Sequence, residues 1–412
     1  NGANLAFPRS FESPKKRDGT STLFSLIILT LGIEYFGYEN TVTVFRLVIL
    51  PLSVYLSCNL LGKSMRAPGG GAIALMCAFL LVVVASTILL SGISGGISAL
   101  SFLFVIPFVC AIGSCLCLHV HIPYSKIFFW WAIPHLFVFI FFPGFAFQGW
   151  SNRFTGLHSD SNFCGIYITF SFISCLFLLM KEKSTLWKLA ALIFLLVDGY
   201  LIVQTQSRTT LATCAFGSGL LLLFLVKKPV FRITTTSLCI FSIVFAWGYA
   251  QSLDKYAGAY DNPIDNALVR FSAKNLEGGS GREERYLNNF ERIFSDGMVV
   301  PVGYATTDKQ SGANFSHSSW IDLLLAGGGA FGGIFMLFVN GCAVVVGIKS
   351  LRGKYSDEHL LLNAICLELW CYSIAFSMIT GKLFWLAVTG ICVSAFLKTR
   401  KRAPFDSPRY RY

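Results

Sequence analysis

Charge is what this chain has least of. Only 13% of its 412 residues are Asp, Glu, Lys or Arg, against 54% hydrophobic residues, and the mean hydropathy is +0.64. Such a balance lies outside the range of soluble globular domains. Strict polar/apolar alternation is missing as well, which argues against an outer-membrane barrel and leaves helices as the way to satisfy the backbone in lipid. There is no internal repeat, no nucleotide-binding glycine loop and no cluster of carboxylates. None of the 13 cysteines falls in the longest polar stretch, 251–320, so no disulfide framework staples that stretch. Cys115, Cys117, His119 and His121 have metal-ligand side chains, but a spacing of two spreads them around a helix and lacks the usual zinc-site spacing. They read as buried small side chains, and no metal site is expected. The polar start with Lys15, Lys16 and Arg17 runs into a full-length span and does not read as a cleavable signal.

What is present is a series of apolar runs of membrane-spanning length. They lie at 20–37, 41–62, 70–92, 98–118, 125–145, 161–180, 186–204, 208–226, 231–250, 317–347, 359–379 and 383–397. The expected fold is therefore all-α: a polytopic membrane protein of about 12 transmembrane helices, with a partly helical insert between helices 9 and 10. In domain terms this gives a tail 1–20, spans over 21–250, the insert 251–316, spans over 317–397 and a second tail 398–412. The tenth run is long, and Gly327–Gly333 inside it suggests a tilt or bend.

The formal charge of +12 reports topology and gives no reason to expect a nucleic-acid partner. Lys63/Arg66, Lys181/Lys183/Lys188, Lys227/Lys228/Arg232, Lys349/Arg352/Lys354 and Lys398/Arg400/Lys401/Arg402 all follow even-numbered runs. The positive-inside rule then puts both termini in the cytosol. The connections after runs five, seven and nine, which are FQGWSNRFTGLHSD, TQSR and the long insert, fall together on the other face.

Three arginine-bearing pieces thereby share one side. Arg153 precedes the sixth run and Arg208 opens the eighth. Each can be read as a snorkelling anchor or as a planar, permanently charged ligand for phosphate oxygens. In the insert, SGREERYLNNFERIF reads as a short helix with Ser280 and Glu283 as a capping box. Leu287, Phe290 and Phe294 form its apolar stripe, while Arg282, Arg285, Asn289 and Arg292 fall near a polar face. It reads either as an anion site at a glycine-preceded helix start or as an amphipathic helix with internal ion pairs. His317 stands at the outer start of the tenth run, where the helix N-terminus disfavours the imidazolium and leaves a neutral ring, as a general base requires. His158 is a second candidate, and Asp322, about a turn beyond His317, is placed to hold an outer arginine. Arg46, Asp198, Asp322, Glu368 and Lys382 lie at membrane depth, where ionisable groups are expected to be paired.

The ordered motifs NRFTGLHSDSN, QSRTTLA, a GREERY segment in a long outer loop, and SHSSWIDLLLAGGGAFGG resemble the O-antigen ligase/O-antigen polymerase superfamily over roughly residues 150–340. The resemblance implies an integral-membrane glycosyltransferase of the bacterial inner membrane, with its active site facing the periplasm. Its donor would be an undecaprenyl-diphosphate-linked glycan, used without cofactor or metal. It further implies His317 as the catalytic base, and Arg153, Arg208 and Arg282 as ligands of the donor pyrophosphate, with Arg285 able to exchange roles with Arg282. Asn162, inside the first motif, joins His158 and Asp322 as a secondary candidate. Inversion at the anomeric carbon would follow. The NRFTG and SHSSW forms look more like the polymerases, whose acceptor is another lipid-linked repeat and which can work with a chain-length regulator. The span count fits the ligases, whose acceptor is lipid A-core. A polysaccharide or lipid transporter is the non-enzymatic alternative.

Overall fold

The computed structural model describes residues 19–33, 45–148, 153–158, 160–228, 230–234, 236–237, 265, 269, 282–295, 297–298, 318–376, 378 and 381–397, with backbone alone at 45–46, 90–100 and 282–285. It is 83% helix with almost no strand. Among the described residues, seven helical stretches are long and apolar enough to cross a membrane, some of them running through consecutive helices. The helices are α1 (Gly19–Leu31), α2 (Leu50–Ser64), α3 (Gly70–Cys117), α4 (Tyr124–Phe129), α5 (Ile133–Phe141) and α6 (Pro143–Ala146). Then follow α7 (Ser161–Lys181), α8 (Thr185–Gln204) and α9 (Arg208–Leu225). The last five are α10 (Arg282–Ser295), α11 (Ser319–Gly327), α12 (Gly329–Leu351), α13 (Asp357–Tyr372) and α14 (Lys382–Phe396).

Their boundaries follow local chemistry. Gly69 takes φ of 99°, a left-handed conformation suited to glycine, and turns the chain from α2 into α3. The α3 run doubles back: a Cβ on Gly113 would sit 2.7 Å from Ile73, and the Cys77 and Cys110 sulfurs are 3.4 Å apart. It thus supplies both the third and the fourth apolar runs. The side chains of Asp160, Ser207 and Ser356 accept amide hydrogens at the starts of α7, α9 and α13, the usual work of N-cap residues.

The tenth run departs from expectation. The expected bend lies at the glycine patch, but it is a full break: the run is two helices, parted at Gly328, whose φ is 79°. Gly332 packs against the backbones of Leu323 and Leu324, with a Cβ there only 2.5 Å from Leu323 O. In a continuous helix positions 323 and 332 would be about 13 Å apart, so α11 and α12 fold back on each other. Only α12 is long enough to span. The ninth run lies almost wholly outside the described residues.

One large apolar core unites α1–α4, α7, α9 and α11–α14, with Phe79 stacked on Phe335 at 4.0 Å and Trp131 against Tyr167 at 5.4 Å. Outward faces are apolar too. Leu186 and Leu196 on α8 are 75% and 69% exposed, and Leu337 on α12 is 70% exposed, which suits hydrocarbon and not water.

The ends of the helices sort by charge. At one end Lys126 pairs with Glu182 at 3.2 Å and Lys181 with Asp357 at 3.0 Å. There too Lys349 donates to Ala395 O, and Arg232 to Leu351 O. The opposite end holds the groups described next.

Candidate anion site at paired helix starts

Helices α7 and α9 begin side by side because Gly165 has no side chain. A Cβ there would collide with Thr210, so any larger residue would push the two helix starts apart. The starts are also stitched together chemically. Ser207 Oγ accepts from Thr210 N at 3.1 Å and donates to Asn162 Oδ1. Asn162 donates from its backbone N and from Nδ2 to Asp160 Oδ1, at 2.7 and 2.8 Å. The Tyr372 hydroxyl, at the end of α13, donates to Asn162 O at 3.0 Å. Three helix ends therefore meet at Asn162. Two of them are N-termini, which carry free amides and the positive end of the helix dipole.

Arg153 and Arg208 both stand here. Arg208 is the first residue of α9. Arg153 lies on a two-residue strand, β2 (Arg153–Phe154), paired antiparallel with β1 (Phe147–Gln148), and its Nε donates to Thr205 O at 2.8 Å, two residues before the α9 cap. Burial lowers the Arg153 proton affinity, and the neighbouring Arg208 charge lowers it further, while Asp160 and Tyr372 oppose both. Two guanidinium groups that feel each other's charge are a cost in the free protein. A dianionic ligand between them would remove it.

The remaining candidates divide. Asn162 is the hub just described. His158 is buried, with its ring stacked on Tyr167 at 4.9 Å and 13° and lying 5.1 Å from His135. Its proton affinity is held well below the ordinary imidazole value, first by burial and then by His135, so its ring is neutral near pH 7. Asp322 is buried in the first turn of α11. His317 and the proposed cap Ser280 lie outside the described residues. The residue after His317 is placed, however. Ser318 immediately precedes α11 without a side-chain capping bond, and Ser319 is tied to the end of α13 by bonds from its N to Ser373 O and from its Oγ to Phe376 O, at 2.9 and 2.8 Å. Phe376 packs edge-on to Phe163, next to Asn162, at 4.8 Å. The start of α11 thus adjoins the same cluster.

Arg282 and Arg285 lie in the first turn of α10, whose backbone alone is described there. The α10 helix forms as expected, but its buried face is not the expected one. Tyr286, Asn289 and Ile293 pack inward, with Ile293 against Ile321 and Leu325 of α11, whereas Leu287 and Phe294 are 69% and 68% exposed. The periodicity is right and the inward side is rotated, because α11 offers a narrow apolar seat that Ile293 fills. The expectation that membrane-depth acids are paired also fails in part. Asp198 and Glu368 are fully buried and form no ion pair among the described residues; the Ser171 and Thr213 hydroxyls interact with them, but without a close hydrogen bond.

Sequence reasoning passed over Asp160, Ser207, Tyr372 and His135. The first two carry a readable signal, an Asp or Ser directly before an apolar run. The other two carry none, since only the fold brings them to the loop. Comparison with known protein families finds no matching family model, and no curated protein matches the sequence.

Proposed function

We propose that the protein is a membrane glycosyltransferase that polymerises undecaprenyl-diphosphate-linked repeat units of O-antigen or a related polysaccharide on the periplasmic face. The observation that carries this reading is the placement of Arg153 and Arg208 beside two adjoining helix N-termini, a constellation suited to a diphosphate. The fold would span about 12 times, with both termini cytosolic, and the insert 251–316 would supply Arg282 or Arg285 as a further phosphate ligand.

In this reading His317 takes the proton from a hydroxyl of the acceptor sugar as that oxygen attacks the anomeric carbon of the donor. The new glycosidic C–O bond forms as the bond from the anomeric carbon to the diphosphate oxygen breaks. Attack opposite the leaving group inverts the anomeric configuration. The electron pair leaves on undecaprenyl diphosphate, whose charge the arginines hold. Neither cofactor nor metal has a step in this scheme.

The test is a reconstituted assay with purified protein and a lipid-diphosphate-linked repeat unit, with and without lipid A-core. A ladder of longer lipid-linked products without lipid A-core is the expected result, and His317→Ala should reduce its formation by about 10²–10⁴, the size of a general-base effect. Product made only on lipid A-core would identify a ligase. Asp198 and Glu368, buried and in no ion pair among the described residues, favour a second reading, a transporter that uses ionisable groups inside the bilayer. Intact donor under both conditions would favour it.

A further inference from the structure

The outer connection that carries Arg153 does not rest on its two-residue strand alone. It closes over His135, a fully buried residue near the start of α5. The Leu157 amide donates to His135 Nδ1 at 3.4 Å, a long bond made inside the protein. Gly156 lies flat against the same edge of the ring. A Cβ at Gly156 would come within 2.5 Å of His135 Nδ1 and 2.8 Å of Cys164 Sγ, and the residue's φ of +57° favours glycine independently. On the far side of the turn, Thr155 and Gly156 both donate to Ala146 O, at 2.8 and 3.3 Å, and His158 N closes the turn onto Thr155 O at 3.0 Å. The imidazole is thus the floor on which the loop 153–158 lies.

The chemistry of the ring makes this specific. With Nδ1 accepting from Leu157, the ring proton sits on Nε2, which has no hydrogen-bond partner among the described residues. An apolar ring such as Phe would fill the space between Tyr167, His158 and Cys164 without burying an unused donor, which ordinarily destabilises. What imidazole alone adds at this point is an acceptor at Nδ1, which faces the Leu157 amide and, at 3.6 Å, the Cys164 thiol.

We infer that His135 is a positioning residue for the anion site: by accepting the Leu157 amide it fixes the loop 153–158, and through the loop it sets the Arg153 guanidinium against Thr205 and beside Arg208. This rests on the reading of Arg153 and Arg208 as diphosphate ligands. Its first test does not depend on that reading.

The test compares His135→Asn, His135→Gln and His135→Leu in purified full-length protein in lipid nanodiscs. Asn places an acceptor where Nδ1 stands, whereas Gln places it one atom farther out and Leu removes it. Hydrogen exchange at the Leu157 amide is read first. It should be near wild type in His135→Asn and about tenfold faster in His135→Gln and His135→Leu, the size expected for one buried hydrogen bond. Binding of undecaprenyl diphosphate, with inorganic pyrophosphate as competitor, is read second. Its Kd should rise about tenfold in Gln and Leu and be restored in Asn. Equal exchange in all three variants would overturn the inference, as would faster exchange with unchanged Kd. If the wild type binds neither probe, the diphosphate reading fails, while the exchange pattern still decides whether His135 holds the loop. Gly156→Ala provides a check against misfolding. The clash is with the atom at the Nδ1 position, which Asn also fills, so Gly156→Ala should accelerate exchange in wild type and in His135→Asn alike.

Discussion

At the scale of single residues, the site is made of groups whose value lies in shape as much as in charge. Arg208 is the clearest case. It opens α9 directly after the cap residue Ser207, so its backbone is fixed by the helix start. Arg208→Lys keeps the charge and the snorkelling capacity but loses the planar fork. Donor KM is expected to rise about tenfold or more, whereas an anchoring role would leave it unchanged. His158 gives a prediction of another kind. Its proton affinity is depressed in the folded protein. As pH falls through the ordinary imidazole value of about 6.5, the unfolded chain therefore takes up a proton that the folded chain refuses. Stability is intact above that pH and declines below it, by about 1.4 kcal/mol per unit for each such group. Thermal unfolding across pH 5–8 should show this slope, and His158→Gln should make it shallower.

At the scale of elements, the site depends on how closely α7 and α9 can start together. Gly165→Ala should force the two helices apart, since its Cβ meets Thr210 within the first turn of each. Overpacking of this kind costs about 1–3 kcal/mol, and here the displaced groups are Ser207 and Asn162. Lower thermal stability and weaker donor binding are expected together, while Gly71→Ala, at a position open around its Cα, should change neither. These elements also show what the sequence could and could not reveal. The apolar runs at 161–180, 186–204 and 208–226 became α7, α8 and α9 almost to the residue, because a spanning helix needs only length and hydropathy to be recognised. The run at 317–347 did not behave so simply. Its composition is that of one span, but a reversal at Gly328 turns on a backbone conformation and on contacts between Gly332 and Leu323 that hydropathy does not encode. The seating of α10 failed for a related reason. An amphipathic pattern names two faces, and which one is covered depends on what lies opposite. Counting spans put Arg153 and Arg208 on one expected side, and the motif around Asn162 drew it in; the structure brings the three together. Tyr372 and His135 were not legible, since Tyr372 is 210 residues from Asn162 and His135 lies inside an apolar run, and each reaches the cluster only through packing.

At the scale of the whole molecule, the arrangement has a polarity that the charges predict and the contacts support. Lys126, Glu182, Lys181, Asp357, Lys349 and Arg232 tie helix ends together at one pole. Arg153, Asn162, Ser207, Tyr372 and Ser319 meet at the other. A protein that uses a lipid-linked diphosphate needs such a separation. Its basic anchors would face the cytosolic leaflet, and its anion site would open where the donor's headgroup is presented. The compartments at the two poles can be assigned by experiment. Accessibility tags placed one at a time after the last residue, between Lys183 and Ser184, and within the insert at Gly278–Gly279 should divide into two classes in intact spheroplasts. The first two should be shielded until the membrane is opened, and the third should be labelled at once. An even number of crossings between Ser184 and the insert would put those two tags in one class and move Arg282 and Arg285 to the pole opposite Arg153. The diphosphate site would then be limited to Arg153 and Arg208, and Arg282→Ala and Arg285→Ala should leave donor binding unchanged.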